Sequence, residues 1–316
     1  MILVTGSSGF IGGALVGRLA VDHMPGQVVA MARQTGFACP DGVRQMHMGD
    51  LLCTTDWSSA LEGVRVVVHC AARVHVISDK NSDHSADFHS VNVESTVAFA
   101  RQAAVAGVKR FVFLSSAKVN GEFTQVGQLF TEGDAPAPEG PYSVSKHEAE
   151  KSLRHIAAET GMEVVIIRPP LVYGPGVKAN FESMVRWLKR GVPLPLAAVT
   201  QNRRSLVALD NLVDLIMTCL SHPAAANETF LVSDGEDLST VQLLKRMGAA
   251  IGRPVRLFYV KPALLKLGAG VLSRPGIYQR LCGSLQLDIT KTRQLLGWTP
   301  PVTVAEGLRR TAEGFR

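Results

Sequence analysis

Short β-branched runs alternate with helical stretches through the first half of the chain. Residues 2–5, 28–31, 64–70, 110–114 and 163–168 are apolar runs of strand length, and residues 43–48 form a weaker one. Between them, apolar positions recur at helical spacing over residues 10–20, 86–106 and 143–160. Strands alternating with helices need crossover connections, which set the strands parallel in one sheet covered on both faces. After Pro169 the rhythm gives way to Pro- and Gly-rich turns, with helices expected over residues 181–190, 210–221 and 240–251. Residues 206–220 and 228–232 are expected to return to the main sheet. No internal repeat interrupts the pattern.

Composition narrows the class. With 316 residues, 46% hydrophobic and 19% charged, the chain can bury a large core, and it has neither a disordered nor a fibrous profile. The five cysteines are scattered without the paired spacing of a zinc site or disulfide framework, so no metal is expected and the thiols read as reduced and structural. Met1 runs directly into an apolar strand and a glycine turn, with no basic leader, which predicts a cytoplasmic protein. The most apolar late segment, residues 262–272, is bracketed by Lys261 and Arg274 and contains Lys266; it suits a surface and not a span. A net charge of +6 favours an anionic ligand. No arginine-rich tract with interleaved aromatics suggests nucleic acid, and a phosphorylated small molecule meets the charge equally well.

Three segments carry candidate chemistry. The first, TGSSGFIG, sets Gly6, Gly9 and Gly12 between the opening strand and its helix. Gly6 permits the tight turn, Gly9 lets backbone approach a pyrophosphate, and Gly12 allows close helix packing, with the helix N-terminus facing the anion. The second, PYSVSK, puts Tyr142 and Lys146 one turn apart on one helix face, so that an ammonium can stand beside a phenol and favour its ionisation. The third, FVFLSSAKVNG, is a buried strand ending in hydroxyls, and Ser116 there can hold a substrate oxygen at the sheet's carboxyl edge. The second strand ends in Ala32 and Arg33, where an acidic ribose ligand is usual. Arg33 suits a 2′-phosphate, so NADP(H) is favoured, with NAD(H) the other choice.

Together these segments resemble the extended short-chain dehydrogenases/reductases, the NAD-dependent epimerase/dehydratase family, closest to bacterial UDP-4-keto-6-deoxy-N-acetylhexosamine 4-reductases and UDP-sugar 4-epimerases. Further likeness lies in GDL at Gly49, HCAA at His69, Asn92, RPPLVYGPG from Arg168, NRRSLVALDNL from Asn202 and DITKTRQLLGWTP from Asp288. The resemblance implies an α/β fold, a Rossmann-type doubly wound parallel sheet with a smaller, mostly C-terminal substrate lobe. Residues 1–168 plus about 205–232 would form the dinucleotide-binding domain, and residues 169–204 and 233–316 the lobe. Ser116, Tyr142 and Lys146 fall on the family's catalytic trio. The cofactor would lie against Gly6, Ser8, Gly9, Phe10, Ile11, Gly12, Arg33, Asp50, Leu51, Ala71, Ala72, Asn92, Tyr142, Lys146 and Pro169.

On the substrate side the resemblance points to Ser116, Lys118, Asn180, Arg203 and Arg204. Arg203 aligns best with a family arginine that pairs with a UDP-sugar diphosphate, and Arg204 is its neighbouring candidate. Lys118 reads first as a solvated loop lysine, and Asn180 at least as well as a helix cap. The acid pair that family dehydratases carry after the catalytic hydroxyl is replaced by Ala117 and Lys118, which argues against dehydration. Many 4-epimerases read VYG where this chain reads Val119, Asn120, Gly121. The expected activity is therefore NADPH-dependent reduction of a UDP-4-keto-6-deoxy-N-acetylhexosamine for surface polysaccharide (O-antigen or capsule) synthesis. A UDP-hexose 4-epimerase with tightly bound NAD is the alternative, and a non-catalytic NAD(P)-sensing protein the reading from another class. Apolar faces over residues 86–106 and 143–160 suit either a homodimer interface, as the family implies, or the core.

Overall fold

A computed structural model describes residues 1–34, 36–47, 49, 52–74, 85–125, 127–271 and 275–315. Strands β1 (Ile2–Thr5), β2 (Val28–Ala32), β3 (Arg44–His47), β4 (Val66–His69), β5 (Arg110–Leu114), β6 (Glu163–Arg168) and β9 (Thr229–Leu231) form one sheet in the order β3-β2-β1-β4-β5-β6-β9. Every pairing in it is parallel. The order reverses beside β1, which makes the carboxyl end of that strand the crevice of a doubly wound sheet.

Helices cover both faces. On one side α1 (Phe10–Asp22) packs with α7 (Leu209–Ser221) over Val4, Val112, Val165 and Ile167. On the other, α2 (Ser58–Leu61), α4 (Ser95–Val105) and α5 (Pro141–Thr160) bury Leu3, Phe99, Phe111, Phe113 and Leu153. Burial on both faces is why these strands read as continuous apolar runs. A third cluster, around Tyr173, Phe181, Leu238 and Leu308, joins α6 (Ala179–Lys189), α8 (Thr240–Ala250) and α12 (Val304–Glu313); α9 (Pro262–Val271), α10 (Pro275–Cys282) and α11 (Thr290–Leu296) complete the C-terminal part. Among the described residues, no helix is long and apolar enough to cross a membrane.

Two expectations need correction. Residues 206–208 do not rejoin the main sheet: β8 (Leu206–Ala208) pairs in parallel with β7 (Leu171–Tyr173) in a separate two-stranded ladder. Pro169 and Pro170 separate β6 from β7, and two successive residues without an N–H end the main-sheet pairing there, so the chain resumes pairing off the sheet. Residues 229–231, by contrast, do join β6 as the edge strand. The helix expected over residues 86–106 is α3 (Ser85–His89) and α4 joined by a π turn over Ser90–Glu94. The wider turn carries Asn92, which is buried.

His69, at the end of β4, is a core residue. Its Nδ1 lies 3.0 Å from Thr5 Oγ1 and its Nε2 3.1 Å from Thr96 Oγ1, among the rings of Phe99, Phe111 and Phe113. Burial, aided by the charge on Lys146, holds the imidazole down at about 3, from an ordinary 6.5. The unfolded chain therefore takes up a proton that the fold refuses: the contribution is present above pH 6.5 and lost as pH falls toward 3. In urea titrations between about pH 7 and pH 4, stability of the wild type is expected to fall more steeply than that of His69→Gln. Parallel slopes would contradict this origin of acid sensitivity.

Candidate active site

The glycine turn after β1 is built for close approach. Gly6 has φ +68°, and a Cβ on it would lie 2.8 Å from the Ala71 backbone nitrogen. A Cβ on Gly12 would stand 2.3 Å from the Gly6 carbonyl oxygen, so the first turn of α1 can pack on the loop only as glycine. The Gly9 N–H donates to the Gly6 carbonyl (2.9 Å), and Gly9 caps α1 with no side-chain hydrogen bond and no acidic residue in the first turn. The opening N–H groups of α1 thus have neither a side-chain cap nor a carboxylate in the first turn, which suits a dinucleotide pyrophosphate. Ser8 is exposed at this turn, and Phe10 and Ile11 are half-buried.

Around this turn, Ala32 is buried at the end of β2 and Arg33 follows it at the surface. Ala71 donates its N–H to Thr5 Oγ1 (3.2 Å), and Ala72 beside it is half-buried. Asn92 fastens the next residue: its Oδ1 accepts from the Arg73 N–H (2.8 Å), and its Nδ2 donates to the Arg73 carbonyl (3.1 Å) and to Ser145 Oγ (3.0 Å). The π turn therefore ties the loop after β4 to the helix that carries Tyr142. Asp50 and Leu51 lie outside the described residues.

Tyr142 stands in the first turn of α5, edge-on to Phe88 of α3 at 6.3 Å between ring centres. Burial pushes its phenol up to about 12. The ammonium expected to favour phenolate is turned elsewhere: Lys146 Nζ donates to the Leu114 carbonyl (2.8 Å) and sits over the Phe113 ring at 4.5 Å. Burial brings Lys146 down to about 8, with Cys70 and Glu150 pulling upward. Cys70 is itself pushed up to about 12 by burial. Ser116 is buried, caps the 3₁₀ turn Ala117–Val119 and accepts from the Lys118 N–H at 3.2 Å. That turn packs against α5, and the Ala117 N–H donates to the Pro169 carbonyl at 2.9 Å, so the hydroxyl and the phenol-bearing helix lie side by side.

Beneath them lies a fully buried ionic network that the sequence reading did not single out. Glu150, one turn beyond Lys146, accepts from Arg168 Nε (2.8 Å) and Nη2 (2.6 Å) and from Ser115 Oγ (2.6 Å). Arg168 Nη1 donates to Asn120 Oδ1 at 3.0 Å. An arginine closing the apolar strand EVVIIR was the available signal, because a buried guanidinium demands a buried carboxylate.

The candidate substrate residues are dispersed. Lys118 Nζ pairs with Glu122 (2.7 Å) at the surface. Asn180 lies in the first turn of α6, and Lys178 holds the cap position instead. Arg203 Nη1 donates to the carbonyls of Thr200 and Asn202, both at 3.0 Å, and Arg204 Nη1 to those of Arg280 and Gly283, both at 3.3 Å. Both arginines are half-buried, and burial lowers Arg204.

This strand order and glycine turn define a Rossmann-type α/β protein of the short-chain dehydrogenase/reductase kind. The chain belongs to the NAD dependent epimerase/dehydratase family, which it matches over residues 2–233. It is 47% identical over 314 residues to a UDP-glucose 4-epimerase of Vibrio cholerae, covering 99% of this chain and 95% of the relative. At 26% identity over 327 residues it is similar to an N-acetyl-alpha-D-glucosaminyl-diphospho-ditrans,octacis-undecaprenol 4-epimerase of Escherichia coli O157:H7, covering 99% and 94%. Among solved structures, MoeE5 in complex with UDP-glucuronic acid and NAD aligns with a TM-score of 0.78 at 25% identity, over 100% of this chain and 98% of that one.

Glu150→Gln leaves the Arg168 guanidinium buried beside a neutral amide. The expected loss is about 3–5 kcal/mol in urea unfolding followed by circular dichroism, with partial recovery in Glu150→Gln/Arg168→Met. A loss below about 1 kcal/mol would show the pair to be dispensable.

Proposed function

We propose that this protein is a UDP-hexose 4-epimerase, inverting C4 of UDP-glucose or UDP-N-acetylglucosamine with NAD held through the cycle. The 47% identity over 99% of the chain to the V. cholerae UDP-glucose 4-epimerase carries this reading. The proposal replaces the 4-ketoreductase as the first choice, and the motif residues keep the parts expected of them. Residues 1–168 plus about 205–232 hold the cofactor and residues 169–204 and 233–316 the sugar nucleotide, with Arg203 or Arg204 on the diphosphate.

Bound NAD supplies the acceptor and then the donor of the C4 hydride. Tyr142 Oη takes the C4 hydroxyl proton and returns it after the sugar presents its other face, while Ser116 Oγ donates to the C4 oxygen. Because burial raises the phenol to about 12, proton removal needs a cation. Lys146, on the same helix face, is the resident one: with NAD bound, its ammonium would leave the Leu114 carbonyl to hold the cofactor and would then stand beside the phenol. Two copies would pair through the α3, α4 and α5 surface, where Val144 and Val105 are exposed.

One observation favours the second reading, an NADPH-dependent 4-ketoreductase: β2 ends in Ala32 and Arg33 without an acidic ribose ligand. The two are separable. An epimerase gains from never releasing its cofactor, so heat-denatured protein is expected to yield stoichiometric NAD and to interconvert UDP-glucose and UDP-galactose with none added. Nucleotide-free protein that oxidises NADPH on a UDP-4-keto-6-deoxy-N-acetylhexosamine would establish the reductase instead. For either activity Tyr142→Phe is expected to cost about 10²-fold or more in kcat with cofactor binding intact; near-normal turnover would remove Tyr142 from its role.

A further inference from the structure

Residues 238–287 contain eight Lys and Arg and no Asp or Glu. The formal charge of the whole chain is +6, so this one stretch carries more than the entire excess. It is also where large apolar side chains stand out of the fold: Phe258 is 48% exposed, Tyr259 68%, Leu264 56% and Leu267 66%. The placement is ordered. Leu265 packs inward on the third core cluster, whereas Leu264 and Leu267, three residues apart, share the outer face of α9 with Lys261 one turn earlier. The segment before α9 is fixed to the body by the Phe258 N–H donating to the Leu194 carbonyl (3.0 Å) and the Leu194 N–H to the Arg256 carbonyl (2.9 Å). Exposed Lys261 and Lys266 flank the apolar side chains.

We propose that this face seats the protein on an anionic lipid bilayer, with α9 lying in the headgroup plane. Apolar side chains rimmed by lysines, on a helix of 10 residues that is too short to span, match an interfacial helix and not a transmembrane one. Charge selects the occupant: a second copy would bring the same basic stretch against itself, whereas anionic headgroups attract each lysine and arginine near their surface. The surface adjoins the candidate diphosphate arginines, since Arg204 donates to the carbonyls of Arg280 and Gly283 at the end of α10. Docking would thus hold the substrate lobe, and not the sheet, against the membrane.

Flotation of the full chain with vesicles of phosphatidylcholine and phosphatidylglycerol, about 7:3, against phosphatidylcholine alone, tests this at about 0.15 M salt. The wild type is expected to float with the anionic vesicles only. Leu264→Ser/Leu267→Ser and Lys261→Glu/Lys266→Glu should each lower partitioning by roughly tenfold or more while keeping turnover. Arg65→Glu/Lys109→Glu, the same charge change just before β4 and β5, should leave it unaltered. Tyr259→Ser, outside the helix, gives the same reading should the α9 variants misfold. The proposal is overturned if the wild type does not float, or if the leucine variant floats like the wild type, which would be adsorption of any basic protein. It is equally overturned if sedimentation without vesicles shows the leucine variant dropping from dimer to monomer.

Discussion

The pair between Glu150 and Arg168 is the constraint on which the site depends. Its members come from the phenol-bearing helix and from the end of β6, and its further partners, Ser115 and Asn120, bracket the turn that carries Ser116. A buried ion pair is a poor source of net stability, because desolvation cancels much of the Coulombic gain. Its value lies in direction. A guanidinium with three of its nitrogens committed ties the end of β6 to α5 and to Asn120 beyond the 3₁₀ turn, and Glu150 in turn holds Ser115 at the end of β5. Lys146 adds a second tie from the same helix, to the Leu114 carbonyl at the end of β5. Arg154 adds a third, reaching Thr229 on β9.

The sheet and the two signature segments were legible because each rests on local rules. Continuous apolar runs meant strands buried on both faces, and TGSSGFIG follows from steric limits that Gly6 and Gly12 meet in the folded chain. What escaped was long-range. Nothing around residue 206 says that β8 pairs with β7, since that outcome depends on two prolines more than thirty residues earlier. The π turn at Asn92 answers to partners on the loop after β4 and on α5, which no periodicity encodes. The Tyr142 and Lys146 spacing correctly put both on one helix face, but the inference that the ammonium favours phenolate missed the competing attraction of the Leu114 carbonyl and the cost of burying the phenol.

Charge is divided unevenly along the chain, and the division matches the architecture. The glycine turn at the start of α1 offers backbone N–H groups and no acidic residue, while the basic residues concentrate in the C-terminal part, around Arg204, α9 and α10. A chain whose residues 1–168 and 205–232 carry a net charge of −6 and whose remaining residues carry +12 concentrates its attraction for anions in the second set.

In the proposed epimerisation one hydride leaves C4 and comes back to C4 of the same sugar. UDP-glucose carrying deuterium at C4, incubated with the purified protein and no added nucleotide, tests it directly. Proton magnetic resonance of the UDP-galactose formed should show the deuterium retained at C4. A product with hydrogen at C4, or with the label moved to another carbon, would contradict the account and point to exchange with free cofactor or to elimination chemistry.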